Sequence, residues 1–156
     1  MKSTLFLCLL VTCSPAFAQT TGSLIKYSNP GSAPKGYSQS VSVDLGTCNM
    51  VMMAGQVPVD STGTLVGKEN MRQQTEQVFA NLEKIIKSHG GTMNDLARIQ
   101  IFVTDLSQIQ QLREVRERYV NLRTPPVSTI VQVSKLFRDD VLIEIEGTAV
   151  IGKASR

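Results

Sequence analysis

Two carboxylates set two residues apart, Glu144 and Glu146, are the groups best placed for chemistry in this sequence. They lie in the stretch VLIEIEGTAV, residues 141–150, which alternates like a strand. A strand sends successive side chains to opposite faces. Val141, Ile143, Ile145, Gly147 and Ala149 therefore share one face, and Leu142, Glu144, Glu146, Thr148 and Val150 share the other. A carboxylate on a partly apolar face is costly unless it is paired or used, so the pair is a candidate for acid–base work. The two Cα atoms should stand roughly 7 Å apart, as in any E-x-E strand. That spacing alone resembles the carboxylate pair of an inverting glycosidase. A strand carboxylate satisfied by neighbouring backbone N–H groups is the other reading of Glu144, and Glu146 reads as a solvated or inter-subunit charge.

Other reactive constellations are missing. There is no Gly-rich phosphate loop, no G-x-S-x-G elbow and no Cys/His metal spacing. The one histidine, His89, falls at an expected helix end, where a cation suits the helix dipole. It reads as a capping residue, and metal binding is not expected. Cys48 lacks a nearby base and reads as a small buried thiol. Arg113, Arg116, Arg118 and Arg123 alternate with Glu114 and Glu117, which describes a solvated helix face. With no basic stripe and no Trp, no nucleic-acid partner is expected.

The elements that must position these groups follow from periodicity. Residues 38–45 alternate as a strand, residues 46–49 turn, and residues 50–54 form an apolar strand leading into Gly55-Gln56. Asn70 with Gln73 has capping-box form. Met71, Thr75, Val78, Leu82 and Ile85 follow at helical spacing, and Gly90-Gly91 ends the helix. Residues 96–104 read as a strand. Ser107 with Gln110 reads as a second capping box, opening a helix that ends before Pro125. Strands at residues 128–134 and 141–150 complete the order β-β-α-β-α-β-β. This is one α+β domain, a mixed sheet with two helices on one face.

The N-terminus reads as a leader. Lys2, the apolar run of residues 5–11 and Ala16-Phe17-Ala18 fit a secretory signal peptide over residues 1–18. That predicts a periplasmic or secreted protein without stable membrane association once cleaved. Cleavage leaves Cys48 as the single cysteine, so no internal disulfide can form. Residues 19–36, rich in Ser, Gly and Pro, read as an extended lead-in, residues 37–152 as the domain and residues 153–156 as a short tail.

From about residue 25 to 150 the chain resembles the reactive intermediate deaminase family (Rid, or YjgF). The resemblance rests on Gly36-Tyr37-Ser38-Gln39, Ala54-Gly55-Gln56-Val57-Pro58, Ile101-Phe102-Val103-Thr104-Asp105-Leu106 and Ile143-Glu144-Ile145-Glu146. It implies a chorismate-mutase-like α+β fold, a homotrimer with clefts between subunits, and cofactor-free hydrolysis of imines or enamines to carbonyl compounds and ammonia. It assigns water handling to Glu144 and cleft lining to Tyr37 and the backbone at Gly55. In the family an arginine on the first C-terminal strand clamps the substrate carboxylate in a bidentate contact. That position is Ser128 here, followed by Thr129 and by Ile130 where Cys is frequent. The resemblance thus keeps the scaffold and drops the clamp, which points to a small imine or enamine-type metabolite lacking the usual carboxylate. Ser128 and Thr129 could offer hydroxyls instead, or Arg116 or Arg123 could supply the cation. A non-catalytic binding or structural trimer is the alternative.

Overall fold

The computed structural model describes residues 23–30 and 35–153. The expected leader and the 153–156 tail, apart from Lys153, lie outside them, as does part of the lead-in.

Six strands form a single sheet. They are β1 (Ile25–Ser28), β2 (Ser40–Asp44), β3 (Cys48–Gln56), β4 (Leu96–Val103), β5 (Val127–Gln132) and β6 (Ile143–Gly152). The spatial order is β1-β2-β3-β6-β4-β5. Only β4 and β5 run parallel; every other neighbouring pair is antiparallel. The last strand of the sequence is therefore central, between β3 and β4. The α+β class and the helix–strand order agree with the sequence. One strand is added, because the lead-in contains β1, which pairs along its whole length with β2. Cys48 and Asn49 belong to β3 rather than to the turn before it, and Asn49 pairs with Asp44. Cys48 is half-buried at that strand end and not in the core.

Helix α1 (Met71–Ser88) starts where Asn70 accepts the Gln73 N–H at 3.0 Å. That satisfies one orphan donor of the first turn. It buries Met71, Val78, Phe79, Leu82, Ile85 and Ile86 against Val51, Met53, Ile99, Ile101, Ile143 and Ile145 of the sheet. It ends where Gly90 takes φ +81° and the Gly91 N–H returns to the Ile86 carbonyl. Helix α2 (Ile109–Tyr119) adds Leu112 and Val115 to the same core. Tyr119 stacks on Phe79 with ring centroids 5.1 Å apart. The expected Ser107–Gln110 box is not what starts α2. Asp105 caps a short 3-10 turn, Leu106–Gln108, by accepting the Ser107 N–H, and α2 continues from it without a side-chain cap. Asp105 stands two residues past the end of β4, so the cap falls where the chain leaves the sheet.

One buried polar residue ties the helix to the strand that carries the two glutamates. Gln74 is fully buried, donates to the carbonyls of Gly67 and Asp140, and accepts the Leu142 N–H at 2.8 Å. This fixes the backbone just ahead of β6. It also explains why the strand begins at Ile143 and not at Val141: the Leu142 N–H is spent on α1.

Candidate functional site

Alternation in β6 is as the sequence implies. Ile143, Ile145, Gly147, Ala149 and Ile151 are buried under the helices, while Glu144, Glu146 and Thr148 are half-buried on the opposite, open face. The register sets Glu144 opposite Phe102 and Glu146 opposite Gln100.

Glu144 is held by an absence. Between Met53 and Gln56 the β3 strand carries one residue more than β6. A bulge of this kind bends a strand and re-aims what lies beside it. Here it brings the Gly55 backbone against Glu144: a Cβ on residue 55 would lie 1.9 Å from Glu144 Oε1. Among the described residues nothing hydrogen-bonds to this carboxylate, and no backbone N–H satisfies it. Burial, and then the negative charge of Glu146, push its pKa above the usual carboxylate range.

The other residues singled out by the sequence are spread over both faces. Tyr37 is exposed and borders a cavity of about 250 Å³ with Gln56, Asp60, Asn81 and Lys84. Asn81 holds the far wall by donating to the carbonyls of Val57 and Val59. Glu144 does not line this cavity, although Gln56 follows Gly55 directly. On β5, Ser128 pairs with Ile99 and Ile130 with Ile101, so both share the helix-side face. Thr129 pairs with Gln100 on the open face. Within one chain, then, Ser128 and Glu144 are on opposite faces and three register positions apart, and the expected cluster is not assembled. Arg116 and Arg123 line neither described cavity. The cations that do are Lys84, beside Tyr37, and Arg98, beside Glu146. Sequence reasoning passed over both. The signal was available for Arg98, which shares its strand parity with Gln100 and Phe102.

His89 differs from its expected role. Its backbone caps α1, but the ring turns to the sheet, with Nε2 3.0 Å from Ser40 Oγ. Burial lowers its pKa, so near neutral pH the ring is uncharged and brings no cation to the helix end. Among the described residues no group of three or more His, Cys, Asp or Glu side chains could hold a metal ion. No described helix is long and apolar enough to cross a membrane.

Comparison with known proteins places this geometry. The endoribonuclease L-PSP family model matches residues 28–151. A RutC family protein of Pyrococcus abyssi is 34% identical over 114 residues, covering 72% of this chain and 84% of that one. The putative reactive intermediate deaminase TdcF of Escherichia coli K12 is 32% identical over 111 residues, covering 69% and 82%. Among solved structures, a putative endoribonuclease of Thermotoga maritima superposes with a TM-score of 0.67 at 32% identity, covering 82% of this chain and 97% of that one. The mixed six-stranded sheet with its two helices is the chorismate-mutase-like fold of these proteins, and the chain belongs to the endoribonuclease L-PSP, or Rid/YjgF, family.

Proposed function

We propose that the protein hydrolyses a small imine or enamine-type metabolite, with Glu144 handling water. The observation that carries this is the state of Glu144: half-buried, without a hydrogen-bond partner among the described residues, and with a raised pKa. A carboxyl group moved towards neutrality can take a proton and return it. In the reaction, Glu144 takes a proton from water as its oxygen bonds to the C=N carbon. Glu144 returns that proton to the nitrogen, giving a carbinolamine; the proton of its hydroxyl then passes to the nitrogen as the C–N bond breaks, and a carbonyl compound and ammonia leave. The deaminase name printed for a relative at 32% identity supports the same class. Ser128, where an arginine clamp would stand, favours a substrate without a carboxylate at that position. It also supports a second reading, in which the site binds such a metabolite without turning it over.

The working unit in this proposal is a homotrimer with its clefts between subunits. Support comes from the open face of the sheet, where Met52, Val127, Val131 and Val150 are exposed beside the glutamates. An apolar sheet face of this kind calls for a cover. A second copy would also add groups to Glu144 that one chain does not supply. Export through the 1–18 leader is part of the proposal, and N-terminal sequencing of secreted material would test it.

The decisive experiment supplies the purified protein with imines generated in situ, with and without a carboxylate, and follows ammonia. Turnover above a Glu144→Ala control is expected for the carboxylate-free imine. No rate above that control on either compound would leave the binding reading. Light scattering of the same sample should give three chain masses, and a stable monomer would remove the inter-subunit cleft.

A further inference from the structure

Along one stripe of α1 stand three amide side chains, Gln74, Gln77 and Asn81. Helical spacing sets them side by side, and each donates to backbone outside the helix. Asn81 donates to the Val57 carbonyl at 3.0 Å and to the Val59 carbonyl at 2.9 Å. Gln77 donates to Asn81 Oδ1 at 2.9 Å, which fixes the way the Asn81 amide faces. Two turns earlier, roughly 10 Å along the axis, Gln74 grips Asp140 and Leu142 just ahead of β6. The two gripped segments flank one narrow space. Val57 stands two residues past Gly55, and Leu142 two residues before Glu144. Between them the Gly55 backbone meets the Glu144 carboxylate, so closely that a Cβ on residue 55 would fall 1.9 Å from Oε1. The bulge itself is thinly held, because pairing of β3 with β6 skips from Met53 to Gln56. The Ala54 N–H donates to the Gln39 carbonyl, and the Gln56 side chain donates to the Ala54 carbonyl. Asn81 adds the tie from the far side of the bulge to the helix layer.

We propose that Asn81 is a positioning residue for Glu144, holding the chain after the bulge so that the Gly55 backbone keeps its close approach to the carboxylate. The proposal rests on the reading of Glu144 as the group that handles water. One helix supplies both grips, so the two flanks keep their separation as long as α1 stays straight. The residue type fits the task. A half-buried amide on a helix is costly unless it is satisfied, and the two N–H groups of one carboxamide meet two carbonyls. Asn81 lines the Tyr37 cavity and not the cavity of about 200 Å³ beside Arg98. With both N–H groups on backbone carbonyls and Oδ1 accepting from Gln77, it has little left to offer a ligand. It acts through the backbone that it holds.

Asn81→Leu removes both donations at similar volume. In the assembled protein, the side-chain carboxyl NMR titration of Glu144 should then shift in the same direction as in Gly55→Ala, where the added methyl displaces the carboxylate. Turnover of the carboxylate-free imine should fall by about tenfold or more in kcat, with KM unchanged. Asn81→Gln keeps the amide donors and should recover part of both. Val115→Ala, a core truncation in α2, should lower stability and leave the Glu144 titration as it was. Circular dichroism checks the fold of each variant. If Asn81→Leu does not fold, Gln77→Met, which frees the Asn81 amide to turn, decides by the same titration. An unchanged Glu144 titration in the folded variant, or a shift as large in Val115→Ala, overturns the proposal. So does a rise in KM with kcat intact, since Asn81 would then serve as a wall of the Tyr37 cavity. The titration needs no turnover: a wild type inactive on imines would sink the hydrolytic reading, while the titration would still decide whether Asn81 positions the acid.

Discussion

The carboxylate of Glu144 occupies the place where a side chain at Gly55 would begin, with Oε1 only 1.9 Å from the Cβ position. The family-matching Gly55 is therefore not there for backbone freedom, since its φ is not positive. It makes room for an acid.

Gly55→Ala should leave the fold intact and displace the acid. The atoms in the way are the far end of a flexible side chain, which can swing aside. We expect little change in melting temperature, but a fall in imine turnover on the order of 10², the scale of a misplaced catalytic group. A side-chain carboxyl NMR titration should show the Glu144 pKa returning towards the ordinary range as the group moves into water.

Glu144 and His89 bend the stability profile in opposite directions. The folded pKa of Glu144 is raised, so its contribution is fully present at acid pH and is lost as pH rises through that pKa. Glu144→Gln should be more stable than the wild type at neutral pH and equal to it in acid. The folded pKa of His89 is lowered, so its contribution is present above the unfolded value of about 6.5 and is lost as pH falls through the folded one. His89→Gln should flatten the profile on that mildly acidic side. Urea unfolding at a series of pH values reads both slopes, and the wrong sign for either would refute its assignment.

Gln74→Ala should destabilise the whole domain. It strands the Leu142 N–H and the Gly67 and Asp140 carbonyls, and a buried group left unsatisfied costs about 1–3 kcal/mol. Gln74→Glu keeps the acceptor for Leu142 but loses both donors, so it should rescue little. Chemical denaturation measures both.

Ser128→Arg should be silent for stability. Residue 128 is exposed on an edge strand, where substitutions fall within about 0.5 kcal/mol. If the clamp alone is missing, turnover of a carboxylate-bearing imine should rise in this variant relative to the wild type. If turnover does not rise, the opposite-face placement of residues 128 and 144 within one chain holds in the assembly too.

The long elements were legible because burial writes a period into them. The stripe of α1 and the alternation of β6 could be read directly, and so could the face that carries Glu144. What escaped was decided by partners rather than by local pattern. The four-residue β1 has no periodicity of its own and exists because β2 offers it an edge. The cap before α2 went to Asp105 because β4 ends two residues earlier. His89 looked like a helix-end cation until Ser40 of β2 appeared beside it. Parity with Gln100 and Phe102 puts Arg98 on the open face, but nothing in its neighbourhood in sequence says that Thr148 lies across from it and Glu146 diagonal to it.

The central place of β6 has a consequence for how the chain is made. Of the six described strands it is the last to leave the ribosome, yet it alone joins β3 to β4. Until it arrives, β1-β2-β3 and β4-β5 are two fragments with no shared backbone ladder, and α1 lacks the floor that Ile143 and Ile145 provide. Folding of the sheet must therefore wait until β6 has been made, and a chain cut short before residue 143 would leave its two parts unjoined. The acid at residue 144 comes into being in the same step that closes the fold.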